Sequence, residues 1–235
     1  MLTMPDGYRV CAHTNLRVIG AMTTRPLQAI RRALLGRPRL RIPAHANDAE
    51  SATLRYLLYV LLPAWFVPGL LDWWQHRRTD IEHTAGPRES LIHLLMMAEV
   101  GVPVALVLLC EINPAVLLAM AAAVAAHEAT ALWDVKTAVD SGREVRPIEQ
   151  HIHSFLESMP FMGTAAIACL HSEQVRKLLD GDIEWAFRLK EHRLPNNYLA
   201  GVAAAIGGLI ALPYGEELLR CLRAYSGRVR VPEQA

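Results

Sequence analysis

Asp72 and His76, Glu89 and His93, and Glu149 and His153 each stand four residues apart, and His127 and Asp134 stand seven apart. A helix advances about 100° per residue, so each pair projects from one helical face. Imidazole and carboxylate without thiolate form a donor set suited to iron, manganese or zinc, and carboxylates can bridge two ions. Soluble di-iron bundles use the related Glu-x-x-His spacing on facing helices. Eight such donors suffice for two divalent metal ions, iron being the favoured identity, with positions left open for oxygen or substrate.

The pairs sit at the ends of hydrophobic stretches. Residues 56–71, 112–126, 158–170 and 194–215 carry no charge, and a span needs roughly 20 mostly apolar residues to cross about 30 Å of hydrocarbon. The reading is an all-α, polytopic membrane helical bundle with spans at residues 54–74, 91–111, 114–134, 154–171 and 196–214. The first four spans hold the carboxylate/histidine pairs, and the fifth is a structural helix rich in Ala and Gly. In up-down order, the end of span one and the start of span two share a membrane face, as do the end of span three and the start of span four. All eight side chains are thereby expected at one level of the bilayer.

The connections fit this order. Gly86-Pro87 breaks the chain before Glu89, and Pro114 suits a helix's first turn, where its missing N–H costs nothing. Residues 1–50 form a basic, arginine-rich segment expected to be loosely ordered, with residues 27–35 able to lie on anionic lipid as an amphipathic helix. Residues 51–215 make the bundle, with an interfacial amphipathic segment at 172–193, and 216–235 read as a polar C-terminal tail. The 235-residue chain has a net charge of +1 with its basic residues dispersed, which gives no footprint for nucleic acid. Four cysteines without a CxxC pattern indicate neither a disulfide framework nor a thiolate zinc site. The connections after spans one and three carry three basic residues each (Arg77, Arg78, Arg88; Lys136, Arg143, Arg146), which places the histidine-bearing face in the cytoplasm of a multi-pass protein of a bacterial-type inner membrane or another cellular membrane.

Five further residues rank as supports. His83 lies in the first connection, and Glu128 beside His127 is a candidate partner fixing a ring tautomer. His151 flanks the row on the fourth span, Glu157 extends that row inward, and Glu99 lies deeper on the second span. Ionisable residues also gather at span ends simply because they reach water there. Within the hydrocarbon each costs about 2.5–3.5 kcal/mol or more, which weights a set of eight toward function.

Asp72-Trp-Trp-Gln-His76-Arg77, followed by His83, resembles the opening motif of the membrane fatty acid hydroxylase and sterol desaturase superfamily, confined here to residues 72–83. No HxxHH box occurs, His151-Ile-His153 being the nearest approach. The resemblance implies a histidine-ligated di-iron site on the cytoplasmic side with Asp72 and His76 as ligands or ligand supports.

Two function classes follow. One is an oxygen-dependent membrane di-metal oxidoreductase acting on a lipid or other hydrophobic substrate, with membrane lipids around it and an electron-donor protein as partner. The other is a transporter of divalent metal or protons, using the same residues as a transit site with Glu99 and Glu157 continuing the path. A haem held by His93 and His127, and a membrane protein without chemistry, complete the alternatives. Transit needs polar groups at both ends of the bundle, whereas the far ends here are nearly all apolar.

Overall fold

The computed structural model describes residues 46–230. Expectations for residues 1–45, including the basic amphipathic helix, lie outside the described residues. The elements are α1 (Ala46–Tyr56), a π-helical turn (Leu57–Leu61), α2 (Leu62–Arg78), α3 (Pro87–Leu109), α4 (Pro114–Asp140), α5 (Pro147–Leu170), α6 (Ser172–Asp180), α7 (Asn196–Ile206), a second π-helical turn (Gly207–Ala211) and α8 (Leu212–Arg230). Among the described residues there is no strand, only an isolated backbone bridge between Cys110 and Leu189.

Helix boundaries follow from local chemistry. Pro87, Pro114 and Pro147 each open a helix. The Asn113 side chain caps α4 by accepting from the Val116 N–H at 2.9 Å. Gly86 precedes α3 with φ +66° and ψ −147°, a region in which side-chain-bearing residues are strained. Both π turns lie just ahead of a proline, Pro63 and Pro213, which cannot donate to the preceding turn. At the first of them the Leu62 N–H bonds to the Leu57 carbonyl rather than to that of Leu58. The Tyr198 hydroxyl from α7 donates to the Leu58 carbonyl at 2.7 Å, so the widened turn leaves no orphan there.

Four continuous helical stretches, Ala49–Arg78, Pro87–Leu109, Pro114–Asp140 and Asn196–Gly227, are long and apolar enough to cross a membrane. The remaining expected span, at residues 154–171, falls in α5, which is less apolar than these four. At 24 residues α5 has the length, but Glu149, His151, His153 and Glu157 dilute its apolar character. It packs against α2 and α4 all the same. The expected interfacial segment is helical only over α6, and the chain from there to α7 is irregular. There the Glu111 N–H donates to the Arg188 carbonyl and the Lys190 N–H to that of Leu109, both at 2.9 Å, tying it to the α3–α4 turn.

α3 and α4 form the closest pair, and α8 packs on α3 and α2. Trp65, Phe66, Val100, Ile152, Leu156, Ile210 and Tyr214 fill the interior, and a second apolar cluster of Val116, Leu117, Met120 and Ile167 lies toward the α3–α4 turn. The last helix continues to Arg230, well beyond the end at 214 that hydropathy sets. Residues 216–230 are therefore helix rather than tail, and that extension supplies the site with a residue.

Candidate metal centre

α2 and α4 deliver residues from their C-terminal turns, α3 and α5 from their first turns. Asp72, His76, Glu89, His93, Asp134, Glu149 and His153 are all buried and meet there. Single donor atoms of Asp72, His76, Glu149 and His153 lie within 4.8 Å of one another, and so do those of His76, Glu89 and His93. Asp134 Oδ1 joins the second group at 3.1 Å from His93 Nε2. Seven of the eight expected donors are thus assembled.

His127 is the exception. Its nearest charged partner is Glu99, with 3.9 Å between Nδ1 and Oε2. Seven residues separate it from Asp134, about 10 Å along the helix axis. It shares their face but lies two turns too deep to share an ion. Glu99, which also accepts from the Thr130 hydroxyl at 2.8 Å, belongs with His127 rather than with the centre.

Two residues not expected in the centre complete it. Glu217 of α8, fully buried, accepts from His76 Nδ1 through Oε2 and from His93 Nδ1 through Oε1, each at 2.9 Å. An ionised carboxylate only accepts, so both Nδ1 atoms carry protons, and in a neutral ring the Nε2 atom then keeps its lone pair. The two rings stack at 4.2 Å and 9°, presenting Nε2 toward the carboxylates: His76 toward Asp72 (3.4 Å) and Glu149 (3.9 Å), His93 toward Asp134 (3.1 Å) and Glu89 (3.8 Å). Neither Nε2 makes a hydrogen bond, and Glu89 Oε2 and Glu149 Oε2 have no partner either. Buried polar atoms without partners are rare and point to an absent ion or water. A carboxylate behind each ligating imidazole is the usual way proteins fix ring orientation at a metal. The sequence carried a sign of Glu217: Ile210, Tyr214, Glu217 and Cys221 stand at spacings of four, three and four, one helical stripe, and all are buried.

Arg143 is the other. Ser141-Gly142 closes α4 with Gly142 at φ +73°, the Gly142 N–H on the Val139 carbonyl and the Arg143 N–H on that of Ala138. This left-handed closure turns Arg143 back into the bundle. Its guanidinium pairs with Glu89, and with Glu149 at 2.7 Å, and donates to Thr79 Oγ1 at 3.1 Å. Burial opposes its charge, but the two carboxylates outweigh burial and hold its pKa above the ordinary value. Tyr214 adds a hydroxyl 3.1 Å from Asp72 Oδ2, and His153 Nε2 is 2.9 Å from Asp72 Oδ1.

No family model, curated protein or solved structure matches the chain.

Charge decides what the centre can hold. Five buried carboxylates (Asp72, Glu89, Asp134, Glu149, Glu217) face one buried guanidinium, which leaves four negative charges with neutral histidines. Two divalent ions would balance them. Protonating His76, His93 and His153 instead would neutralise most of that charge, but it would stack two imidazolium rings 4.2 Å apart. Ligand bonds of about 2.0–2.2 Å for imidazole and carboxylate are within reach of these groups by small side-chain movements, with His153 and Asp72 exchanging their mutual hydrogen bond for the ion. The donor set therefore fits a metal.

The supporting residues divide. Glu157 lines a small cavity beside the centre together with Met96, Met97 and Leu156. Glu128 is half-buried and His151 is exposed against Phe155. His83 pairs with Asp80 at 2.6 Å in the first connection, where Asp80, Glu82 and His83 form a solvent-facing group apart from the buried one.

Proposed function

We propose that the protein is a multi-pass membrane oxidoreductase that holds two iron ions in this centre and oxidises a lipid or other hydrophobic substrate. The observation that carries the reading is the set of five buried carboxylates, balanced by the single guanidinium of Arg143, around two stacked imidazoles whose Nε2 atoms have no hydrogen-bond partner. Large apolar side chains exposed along the long helices, among them Val60, Val67, Val102, Leu132 and Leu212, support the membrane setting. The basic residues Arg77, Arg78, Arg88, Lys136 and Arg146 support a cytoplasmic orientation of the metal-bearing end, where an electron-donor protein would reach it. Arg143 drops out of that count because it is buried.

Asp72, His76, Glu149 and His153 would hold one ion, and His93, Glu89 and Asp134 the other. Bound iron supplies the electron-transfer chemistry that oxygen activation requires. The chain's own groups do the rest. Glu217 orients both stacked imidazoles, Arg143 holds Glu89 and Glu149, and the Tyr214 hydroxyl can hold or pass a proton at Asp72 Oδ2. Met96, Met97 and Leu156 keep water from the inner side. The apolar clusters that occupy the far half of the bundle favour a one-sided site over a transit path.

Oxygen reactivity tests the reading. Protein in phospholipid nanodiscs, loaded anaerobically with ferrous iron-57, is expected to convert on exposure to air into a magnetically coupled ferric pair in its Mössbauer spectrum. Iron that stays ferrous in air, or that sits as isolated single ions, contradicts it.

A further inference from the structure

One turn inward from the small cavity at the centre lies a second cavity of about 100 Å³ between α2, α3 and α5. Its walls are apolar, including Leu61, Val104, Met159 and the open face of Gly163. Two of the lining residues carry a buried polar atom without a partner. Trp65 is 8 % exposed and its indole Nε1 has no hydrogen-bond partner, and the buried Thr164 hydroxyl has none. An indole N–H inside an apolar chamber is costly unless something accepts from it. No charged side chain lines the cavity, so that acceptor is uncharged.

We infer that this cavity binds a neutral single-chain lipid, its uncharged oxygen (alcohol, ketone or ester) accepting from Trp65 Nε1 and Thr164 Oγ1 and its hydrocarbon chain running toward the metal centre. The volume suits a segment of chain and not a phospholipid head group. Trp65 lies seven residues from Asp72 along α2, roughly 10 Å, and Thr164 eleven from His153 along α5, roughly 16 Å. An oxygen anchored there places carbons well along the chain at the centre. Met96 and Met97 on one side and Met159 on the other separate the two cavities, and unbranched methionine is the side chain best able to shift for a threading chain. Only the lipid's role as substrate rests on the oxidoreductase reading; its binding does not.

The test is photolabelling of full-length protein in nanodiscs with a long-chain fatty alcohol bearing a diazirine near its hydroxyl, followed by peptide mapping. Labels are expected on cavity residues such as Trp65, Val104 and Thr164. Gly163→Phe, which fills the cavity, should abolish them. Gly163→Ala should not, because its added carbon meets only Leu61 Cδ2 at an ordinary 3.6 Å. Trp65→Phe should label about five-fold more weakly, the worth of one hydrogen bond, and a hydrocarbon probe lacking the oxygen, which forgoes both bonds, more weakly still. Labelling that Gly163→Phe leaves intact, or that falls on lipid-facing residues such as Val67 and Phe161, overturns the assignment. Metal content is measured on the same samples: a metal-free protein that still labels the cavity sinks the oxidoreductase reading and leaves this one standing.

Discussion

Glu217→Ala is expected to weaken metal binding about 10–100-fold, the usual cost of removing the carboxylate behind a ligating histidine. Here one carboxylate stands behind two imidazoles, His76 and His93, so the upper end of that range applies. Two effects act together. The variant leaves two buried Nδ1–H groups without acceptors, and it frees both rings to take the tautomer that turns a proton toward the ion. Glu217→Gln keeps the volume and one acceptor oxygen but removes the charge, so it should fall between Ala and the native residue. Chelator competition in detergent measures this directly. An unchanged affinity in Glu217→Ala would mean that the rings are oriented by packing, or that no ion binds their Nε2 atoms.

Arg143→Ala should act on stability, in a way that depends on metal. Removing one partner of a buried ion pair costs about 3–5 kcal/mol because the other charge stays buried and unpaired. In this chain the partners left behind are Glu89 and Glu149, both fully buried. The metal-free variant should melt roughly 10 °C below the metal-free native protein, given about 2–4 °C per kcal/mol for a chain of this size. Metal restores cations to both carboxylates, so the variant should gain more from loading than the native protein does, and the deficit should shrink. A deficit equal with and without metal would show that Glu89 and Glu149 pair with Arg143 alone and take no part in an ion site.

The sequence made the centre legible where two signals coincide: a fixed helical spacing and a place next to a helix end. Asp72 with His76, Glu89 with His93, and Glu149 with His153 satisfy both, and all six meet in the fold. Proline at the start of α3, α4 and α5 fixed where those ends fall. His127 satisfied only the first signal. Periodicity sets the angle of a side chain around a helix and says nothing of depth, and two turns of depth separate His127 from Asp134. Glu217 was hidden by composition, because Glu216, Glu217, Arg220 and Arg223 end the apolar run and read as a solvated tail. What holds it in the bundle is tertiary: Trp73 Nε1 donates to Glu216 at 3.1 Å, and Arg220 pairs with Glu82 in the first connection. Arg143 was hidden for the opposite reason. A loop arginine beside Gly142 reads as a solvent-facing topology marker, and only the left-handed turn at that glycine sends it inward. The weaker apolar character of α5 has the same origin as the site, since the donors that α5 gives to the centre are what dilute its hydropathy.

The buried carboxylates and histidines are proposed to hold two ions. Elemental analysis of the purified protein, set beside a His76→Ala/His93→Ala/His153→Ala variant of equal helicity, tests it most directly. Two equivalents of divalent metal, chiefly iron, are expected in the native protein and almost none in the variant. A native protein that folds metal-free and takes up no ion on reconstitution, or a variant that retains its metal, would contradict it.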